Sequence, residues 1–98
     1  MVELVASAEF TKWTGKLRDL EAKKRIAARL GRVAAGNFGD VKPVGSGISE
    51  LRIPYGPGYR VYLMQRGAEI VILLCGGDKS TQQKDIERAK EIALDFKE

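Results

Sequence analysis

Apolar residues near the start of the chain recur with the period of a helix. Phe10, Trp13 and Leu17 fall at i, i+3 and i+7, so they share one face and are expected in the core. Ser7 precedes them at a position suited to an N-cap. Gly15 interrupts the pattern at a cost of about 1 kcal/mol, which predicts a short or bent helix.

A second helix is predicted to follow directly. Asp19 suits its start, and Gly36-Asn37 suits its end, where a left-handed residue is usual. Residues 2–5, before the first helix, are predicted to form a short strand. The two helices, joined by a tight turn, form an α-hairpin.

From residue 48 onward the hydrophobic pattern alternates. It predicts strands at residues 48–53, 59–64 and 69–75, joined by turns that contain glycine. Strands this close together, with no helix between them, are expected to pair antiparallel. Residues 80–83 have the S-x-x-Q form of a capping box and predict a last helix. The apolar stripe of that helix consists of Ile86, Ala89, Ala93 and Phe96.

These elements predict one α+β domain over residues 1–98. Their order is β-α-α-β-β-β-α, with the N-terminal helical hairpin and the C-terminal helix packed on a curved, mostly antiparallel sheet. A chain of this length fits one hydrophobic core.

Charge and composition narrow the classes of function. The chain has 17 Lys and Arg against 13 Asp and Glu, and the surplus lies within residues 1–47, where it suits contact with a polyanion. It has no histidine, and its single cysteine excludes an internal disulfide. No apolar run approaches the roughly 20 residues of a membrane span, and the N-terminus lacks the features of a secretory signal. We therefore expect a cytoplasmic protein that does not associate with membranes.

Strand parity places two arginines together. Arg52 and Arg60 alternate with core residues on neighbouring predicted strands, so both are expected on one open face of the sheet. Lys79 follows the next strand, where a Gly-Gly-Asp turn leads into a helix N-terminus that attracts anions. Converging cations of this kind favour a phosphate site. The alternative is that the arginines are solvated or paired with nearby glutamates.

The second predicted helix carries another basic feature. Arg25, Arg29 and Arg32 fall at i, i+4 and i+7 on one face, which suits contact with RNA phosphates. The alternative is an ordinary solvated face of an amphipathic helix.

The remaining polar groups indicate no cofactor. Cys75 closes a buried strand and is expected to be an inert apolar residue. Glu50 and Asp85 are expected to be ion-pair or capping groups rather than a catalytic pair. The sequence offers no Cys/His set for zinc and no convincing oxygen cluster for another metal, so we expect neither a metal nor another cofactor.

Several motifs together resemble one superfamily of toxins. They are GNFGDVKPVGSGISELRI (36–53), YGPGYRVYL (55–63) and LLCGGDKSTQQKDIERA (73–89), with F-x-x-W at 10–13 and R-I-x-x-R-L at 25–30. In this order, and over nearly the whole chain, they resemble the RelE/HigB-type toxins, specifically the phage Gp49-like addiction module killer proteins.

The resemblance implies a toxin of a type II toxin–antitoxin system. Such toxins are similar to microbial ribonucleases, enter the ribosomal A site and cut mRNA until a cognate antitoxin neutralises them. The implied partners are therefore the ribosome, mRNA and an antitoxin, usually a small helix-turn-helix protein. The alternatives are a ParE-like inhibitor of DNA gyrase, which shares the fold, and a catalytically inactive relative that binds RNA or antitoxin.

The resemblance also implies roles for individual residues. The catalytic candidates are Arg52, Arg60 and Lys79, and the further candidates for catalysis or substrate binding are Lys42, Tyr62, Asp78 and Gln82. Cleavage of RNA by its own 2′-hydroxyl needs the charge of the crowded phosphate stabilised, which suits Arg52 and Arg60. Without histidine, proton transfer is left to Lys79, Tyr62 or Asp78, or to groups of the ribosome.

Overall fold

Five strands and three α-helices are formed within residues 1–96, the part of the chain that the computed structural model describes. The strands are β1 (Glu3–Ala6), β2 (Val41–Gly45), β3 (Ile48–Ile53), β4 (Tyr59–Arg66) and β5 (Ile70–Gly77). The helices are α1 (Ala8–Lys16), α2 (Leu20–Ala34) and α3 (Gln82–Leu94). The predicted α+β class is confirmed.

Both N-terminal helices begin at the predicted caps, and α2 ends just before the predicted glycine. The Ser7 hydroxyl oxygen accepts a hydrogen bond from the Phe10 N–H at 3.0 Å, and Asp19 caps α2 in the same way. Helix α1 ends at Lys16 after nine residues, so it is short, as Gly15 predicts. Beyond α2, Gly36 has a φ of 94°, the left-handed conformation that glycine adopts without strain.

The strands form one mixed sheet in the order β1-β5-β4-β3-β2. As predicted, β3, β4 and β5 pair antiparallel. The N-terminal strand β1 pairs parallel with β5, which places it at one edge of the sheet. A register shift in the β4–β5 pair leaves Leu74 as an extra residue, so Leu74 and Cys75 both pack toward α3.

The predicted order lacks one strand, because β2 was missed. This strand lies at the other edge of the sheet, pairs antiparallel with β3 and contains Pro43 and Gly45. Proline has no N–H to donate, and an edge strand is the position where this costs least. A strand of this composition has no alternating apolar pattern and was therefore not recognised.

The capping box predicted at residues 80–83 is not formed. A 3-10 turn at Lys79–Thr81 precedes α3, which begins at Gln82. The Ser80 hydroxyl donates to the Asp78 carboxylate at 2.5 Å instead of capping α3. Asp78 therefore caps the 3-10 turn, and the side chain of Thr81, the N-cap residue of α3, makes no capping hydrogen bond.

Both faces of the sheet carry a buried core, so the face that was expected to be open is covered in part by α3. The face against α1 and α2, here called the hairpin face, has a buried apolar core that consists of Phe10, Ile26, Val33, Leu51, Ile53, Val61, Leu63, Val71 and Leu73. The opposite face, here called the α3 face, has a second core that consists of Ile48, Tyr62, Ile72, Leu74, Cys75, Ala89, Ile92 and Ala93. Phe10 is buried and Trp13 packs against the first core, as their spacing predicts.

Candidate functional site

Two rows of the sheet bring polar side chains together on the α3 face. Arg52 lies opposite Arg60 in the β3–β4 register, and Glu50 lies opposite Tyr62. Cross-strand partners project from the same face, as parity predicted for the two arginines. Gln82, the first residue of α3, reaches this place from above the sheet. These five residues are called the Glu50 cluster below.

Glu50 lies at the centre of the cluster and is 0 % exposed. Its Oε1 atom accepts a hydrogen bond from Arg52 Nε at 3.0 Å. Its Oε2 atom accepts from Gln82 Nε2 at 2.8 Å and from the Tyr62 hydroxyl at 3.3 Å, and lies 3.4 Å from Arg60 Nε. A buried carboxylate with donors on both oxygens holds the two guanidinium groups in place. The expectation that Glu50 forms ion pairs is confirmed.

The side chains of Arg52 and Arg60 differ in exposure and in their hydrogen bonds. The Arg52 side chain is 37 % exposed and the Arg60 side chain is 12 % exposed. Arg60 Nη1 donates to the Gly58 carbonyl at 2.9 Å, whereas its buried Nε makes no hydrogen bond with the described residues. One carboxylate against two guanidinium groups leaves a net positive charge, so the cluster suits an anionic ligand.

Electrostatics fix the protonation states in the cluster. Burial by itself raises the pKa of Glu50, but hydrogen bonds from Arg52 and Gln82 and the charge of Arg60 outweigh it, and the pKa is lowered. Burial, reinforced by the Glu50 charge, raises the pKa of Tyr62 far above its ordinary value. At neutral pH Glu50 is therefore a carboxylate and Tyr62 a neutral phenol that donates a hydrogen bond.

Two exposed lysines flank the cluster. Lys42 lies opposite Glu50 in the β2–β3 register, on the edge strand. Lys79 follows β5, and a Cβ placed on Gly58 would lie 3.5 Å from Lys79 Cβ and 3.4 Å from Arg60 Nη1. Lys79 and Arg60 therefore both lie next to the backbone of Gly58, which has no side chain. The structure places Arg52, Arg60 and Lys42 beside Glu50, and Lys79 borders Arg60.

Asp78 supports the segment that carries Lys79. Its Oδ1 atom accepts hydrogen bonds from the Ser80 N–H at 2.8 Å and from the Ser80 hydroxyl at 2.5 Å. Asp78 thereby fixes the 3-10 turn that begins at Lys79.

Close contacts at the end of β5 explain its two glycines. A Cβ on Gly76 would lie 2.3 Å from the Trp13 ring, and a Cβ on Gly77 would lie 1.9 Å from Asp85 Oδ2. Asp85 therefore occupies the space of a side chain at Gly77, which lies opposite Arg60 in the β4–β5 register. The Thr81 hydroxyl donates to Asp85 Oδ2 at 2.6 Å. Burial is the main cause that raises the pKa of Asp85.

Cys75 is buried in the α3 face, as predicted. Its thiol lies 3.5 Å from the Asp85 carbonyl oxygen, and burial raises its pKa to about 12. A thiol with so high a pKa carries almost no thiolate at neutral pH, so Cys75 is suited to packing and not to nucleophilic attack.

The arginines of α2 lie apart from the Glu50 cluster. Arg25, Arg29 and Arg32 border one groove beside Pro54, at the edge of the hairpin face. The Arg29 guanidinium donates to the carbonyl oxygens of Arg52, of Phe38 at 3.1 Å and of Asp40 at 3.3 Å, and so ties α2 to the sheet. Arg25 and Arg32 are exposed, so they are the two members of the stripe available to RNA.

Arg25 also contacts two neighbouring side chains. Its guanidinium lies 4.6 Å from the centre of the Tyr55 ring, and its Nε is 3.1 Å from a Glu21 carboxylate oxygen. Exposed pairs of this kind contribute little stability, so they leave Arg25 able to change partners.

Sequence reasoning missed the burial of Glu50 and the position of Asp85. Parity places Glu50 beside Arg52, but nothing local shows that α3 covers it. The Gly-Gly dipeptide at the end of β5 is the signal for Asp85, because it indicates a close approach to the backbone. The pattern does not show which residue approaches.

Residues 1–96 contain neither a metal-binding cluster nor a membrane-spanning helix. No group of three or more metal-ligating side chains lies close enough there to hold a metal ion. No helix of that segment has the length and apolar character needed to cross a bilayer.

No protein-family model matches the chain. An uncharacterized protein of Haemophilus influenzae (strain ATCC 51907 / DSM 11121 / KW20 / Rd) is 53% identical over 95 residues, which cover 97% of this chain and 96% of that protein. The chain belongs to the same protein family as this relative.

Proposed function

We propose that this protein is the toxin of a type II toxin–antitoxin system and acts as a ribosome-dependent mRNA endonuclease in the cytoplasm. The observation that carries the proposal is the Glu50 cluster, in which a buried carboxylate fixes two arginines on the α3 face with Lys42 and Lys79 beside them. The resemblance of the sequence to RelE/HigB-type toxins supplies the reaction class. On this proposal the domain is a RelE-like fold with β2 as an additional edge strand.

The arginines stabilise the charge that develops on the phosphate. When the 2′-hydroxyl oxygen attacks phosphorus, negative charge grows on the non-bridging oxygens. Arg52, more than a third exposed, presents its guanidinium to those oxygens, and Arg60 stands beside it. Because Glu50 holds both groups before RNA arrives, they need little reorganisation, which is the source of most electrostatic catalysis.

Lys79 and Lys42 extend this positive surface along the RNA backbone. Both are exposed, on the two sides of the cluster, and each adds a charge without a fixed geometry. Contacts of this type hold the RNA in register and carry no sequence information. Codon preference therefore comes from the ribosome or from residues outside this surface.

The ribosome supplies the alignment that this small site lacks. Glu50 is buried and Tyr62 is a neutral phenol, so neither is free to exchange protons with RNA. A site with strong charge stabilisation and weak proton transfer gains most from a substrate already held in reactive geometry. Arg25 and Arg32, at the edge of the hairpin face, are proposed to contact ribosomal RNA, and an antitoxin is proposed to block the α3 face.

Primer-extension mapping of a defined mRNA tests the proposal. Purified protein is incubated with the mRNA in the presence and absence of translating ribosomes. We expect cuts at codon positions only when ribosomes are present, and none with the Arg60→Ala/Lys79→Ala variant. The matched control is Arg18→Ala/Lys24→Ala, which removes one arginine and one lysine from exposed positions outside the α3 face.

Two results would decide against the proposal. If the folded Arg60→Ala/Lys79→Ala variant cuts mRNA at the wild-type rate, the assignment of the catalytic site is wrong. Absence of cuts in every lane, together with inhibition of DNA gyrase in a supercoiling assay, would favour the ParE-like alternative.

A further inference from the structure

RNA cleavage by its own 2′-hydroxyl needs a base, and the chain has no histidine to provide one. Two carboxylates near the arginines are already engaged. Glu50 is buried with donors on both oxygens, and Asp78 caps the turn that carries Lys79. The third carboxylate in this region is that of Asp85.

Asp85 lies next to the arginine row. Its carboxylate rests on Gly77, the residue of β5 directly opposite Arg60, and a Cβ on Gly77 would lie 1.9 Å from Asp85 Oδ2. Adjacent strands are about 4.8 Å apart, so Asp85 extends the Arg52–Arg60 row by one strand. The absence of a side chain at Gly77 is what makes room for it.

The Asp85 carboxylate is also accessible. It lines a cleft open to solvent with Trp13, Lys12 and Cys75, at the place where β5 extends beyond its pairing with β1. The Thr81 hydroxyl orients it through Oδ2, and Oδ1 receives no hydrogen bond from the described residues. A base needs such an orienting partner on one oxygen and a free second oxygen.

The charged surroundings of Asp85 are mixed. Burial raises its pKa, the Thr81 hydrogen bond and Lys84 lower it, and the charges of Asp78 and Glu9 raise it. Glu9 is itself paired with Arg88 at 2.6 Å. The other titratable groups that line this cleft are Lys12, Lys16 and Cys75, and Asp85 also interacts electrostatically with the buried Tyr62 phenol. A carboxylate with a raised pKa is a stronger base.

We infer that Asp85 is the general base that takes the proton of the RNA 2′-hydroxyl, an assignment that rests on the proposed ribonuclease function. Asp85 Oδ1 removes the proton while the 2′-oxygen forms a bond to phosphorus. The bond from phosphorus to the 5′-oxygen breaks, and its electron pair goes to that oxygen, which takes a proton from solvent. Asp85 then releases its own proton to solvent, leaving a 2′,3′-cyclic phosphate and a 5′-hydroxyl.

Single-turnover cutting of ribosome-bound mRNA across a range of pH tests this role. The variants are Asp85→Asn, which keeps the shape and removes the base, and Asp85→Glu, which keeps a carboxylate. Asp95→Asn, at the other end of α3 and exposed, is the matched control. We expect Asp85→Asn to cut at least about 100-fold more slowly, the usual contribution of general base catalysis. The rise in rate with pH that wild type shows should be lost in Asp85→Asn and kept in Asp85→Glu, with mRNA binding unchanged.

Each other outcome overturns the assignment and shows whether the proposed function falls with it. If Asp85→Asn cuts within threefold of wild type with the same pH profile, Asp85 is not the base, but the ribonuclease function stands. If wild type makes no cuts, both are wrong. An NMR titration of the Asp85 carboxyl carbon in the free protein gives a reading independent of activity. A pKa at or below the ordinary aspartate value would also contradict the assignment.

Discussion

The two faces of the sheet are formed by the same strands but bury different kinds of side chain. The hairpin face is a continuous apolar core, to which Leu51 and Val61 contribute fully buried side chains. The α3 face is apolar at one end and changes, within β3 and β4, to buried Glu50 and Tyr62 with the two arginines beyond. Burial of a charge costs free energy unless partners compensate it. The hairpin face therefore stabilises the fold. This stability offsets the free-energy cost of holding charges in fixed positions on the α3 face.

The largest loss of stability is expected on the hairpin face. Leu51 is fully buried, and Leu51→Ala should lower the free energy of unfolding by about 2–5 kcal/mol, because it removes packed methyl groups and leaves a cavity. Urea denaturation measures this. Leu20→Ala is the matched control, because Leu20 is 71% exposed and its loss should change the midpoint little.

A slightly smaller loss is expected at the centre of the α3 face. Glu50→Gln leaves two opposed arginines with no carboxylate between them. The expected cost is about 2–3 kcal/mol, less than for a fully buried ion pair, because Arg52 keeps contact with water. Glu91→Gln, at an exposed pair with Arg88, should show no measurable change in the same denaturation experiment.

The pH dependence of the free energy of unfolding should also show the contribution of Glu50. Because the pKa of Glu50 is lowered in the folded state, its stabilisation is complete above the unfolded value of about 4.3 and is lost as pH falls through the folded value. Wild type should therefore lose stability more steeply than Glu50→Gln below that pH. Parallel curves for the two proteins would show that Glu50 is not held as a carboxylate.

Two glycines provide a contrast between close packing and open space. Gly76→Ala would place a Cβ 2.3 Å from the Trp13 ring, and the expected cost is about 1–3 kcal/mol for overpacking. Gly31→Ala lies within α2 with nothing near the new Cβ, and should stabilise by about 0.5–1 kcal/mol. Thermal melts of both variants test this; equal effects would contradict the close approach at Gly76.

The last and smallest effect is expected at Asp85, whose replacement should stabilise the protein. The pKa of Asp85 is raised in the folded state, so its favourable contribution is present below the unfolded value of about 3.9 and is lost as pH rises through the folded value. At pH 7 Asp85→Asn should therefore raise Tm, by no more than about 4 °C for a chain of this length. If Asp85→Asn is more stable than wild type but cuts mRNA more slowly, Asp85 serves function at a cost in stability.

The sequence predicted most of the fold because its signals are local. The caps at Ser7 and Asp19, the left-handed Gly36 and the strand at residues 48–53 follow from short patterns. The edge strand β2 was missed because Pro43 interrupts any alternating pattern. The parallel pairing of β1 with β5 depends on contacts between distant parts of the chain, which periodicity does not contain.

The candidate site was predicted in part for the same reason. Alternation along a strand is enough to place Arg52 and Arg60 on one face. The burial of Glu50 depends on where α3 packs, and the position of Asp85 depends on a space above Gly77. Both are consequences of tertiary packing, so they became visible only in the structure.

The most direct test of the account compares the two faces in one reaction. Single-turnover cutting of ribosome-bound mRNA is measured at several ribosome concentrations for Arg52→Ala/Lys79→Ala on the α3 face and for Arg25→Ala/Arg32→Ala on α2. The account predicts that the first variant lowers the maximal rate by about 100-fold or more, because it removes charge stabilisation in the transition state. The second should weaken ribosome binding and keep the maximal rate. A wild-type maximal rate for the α3-face variant would contradict the claim that the chemistry takes place there.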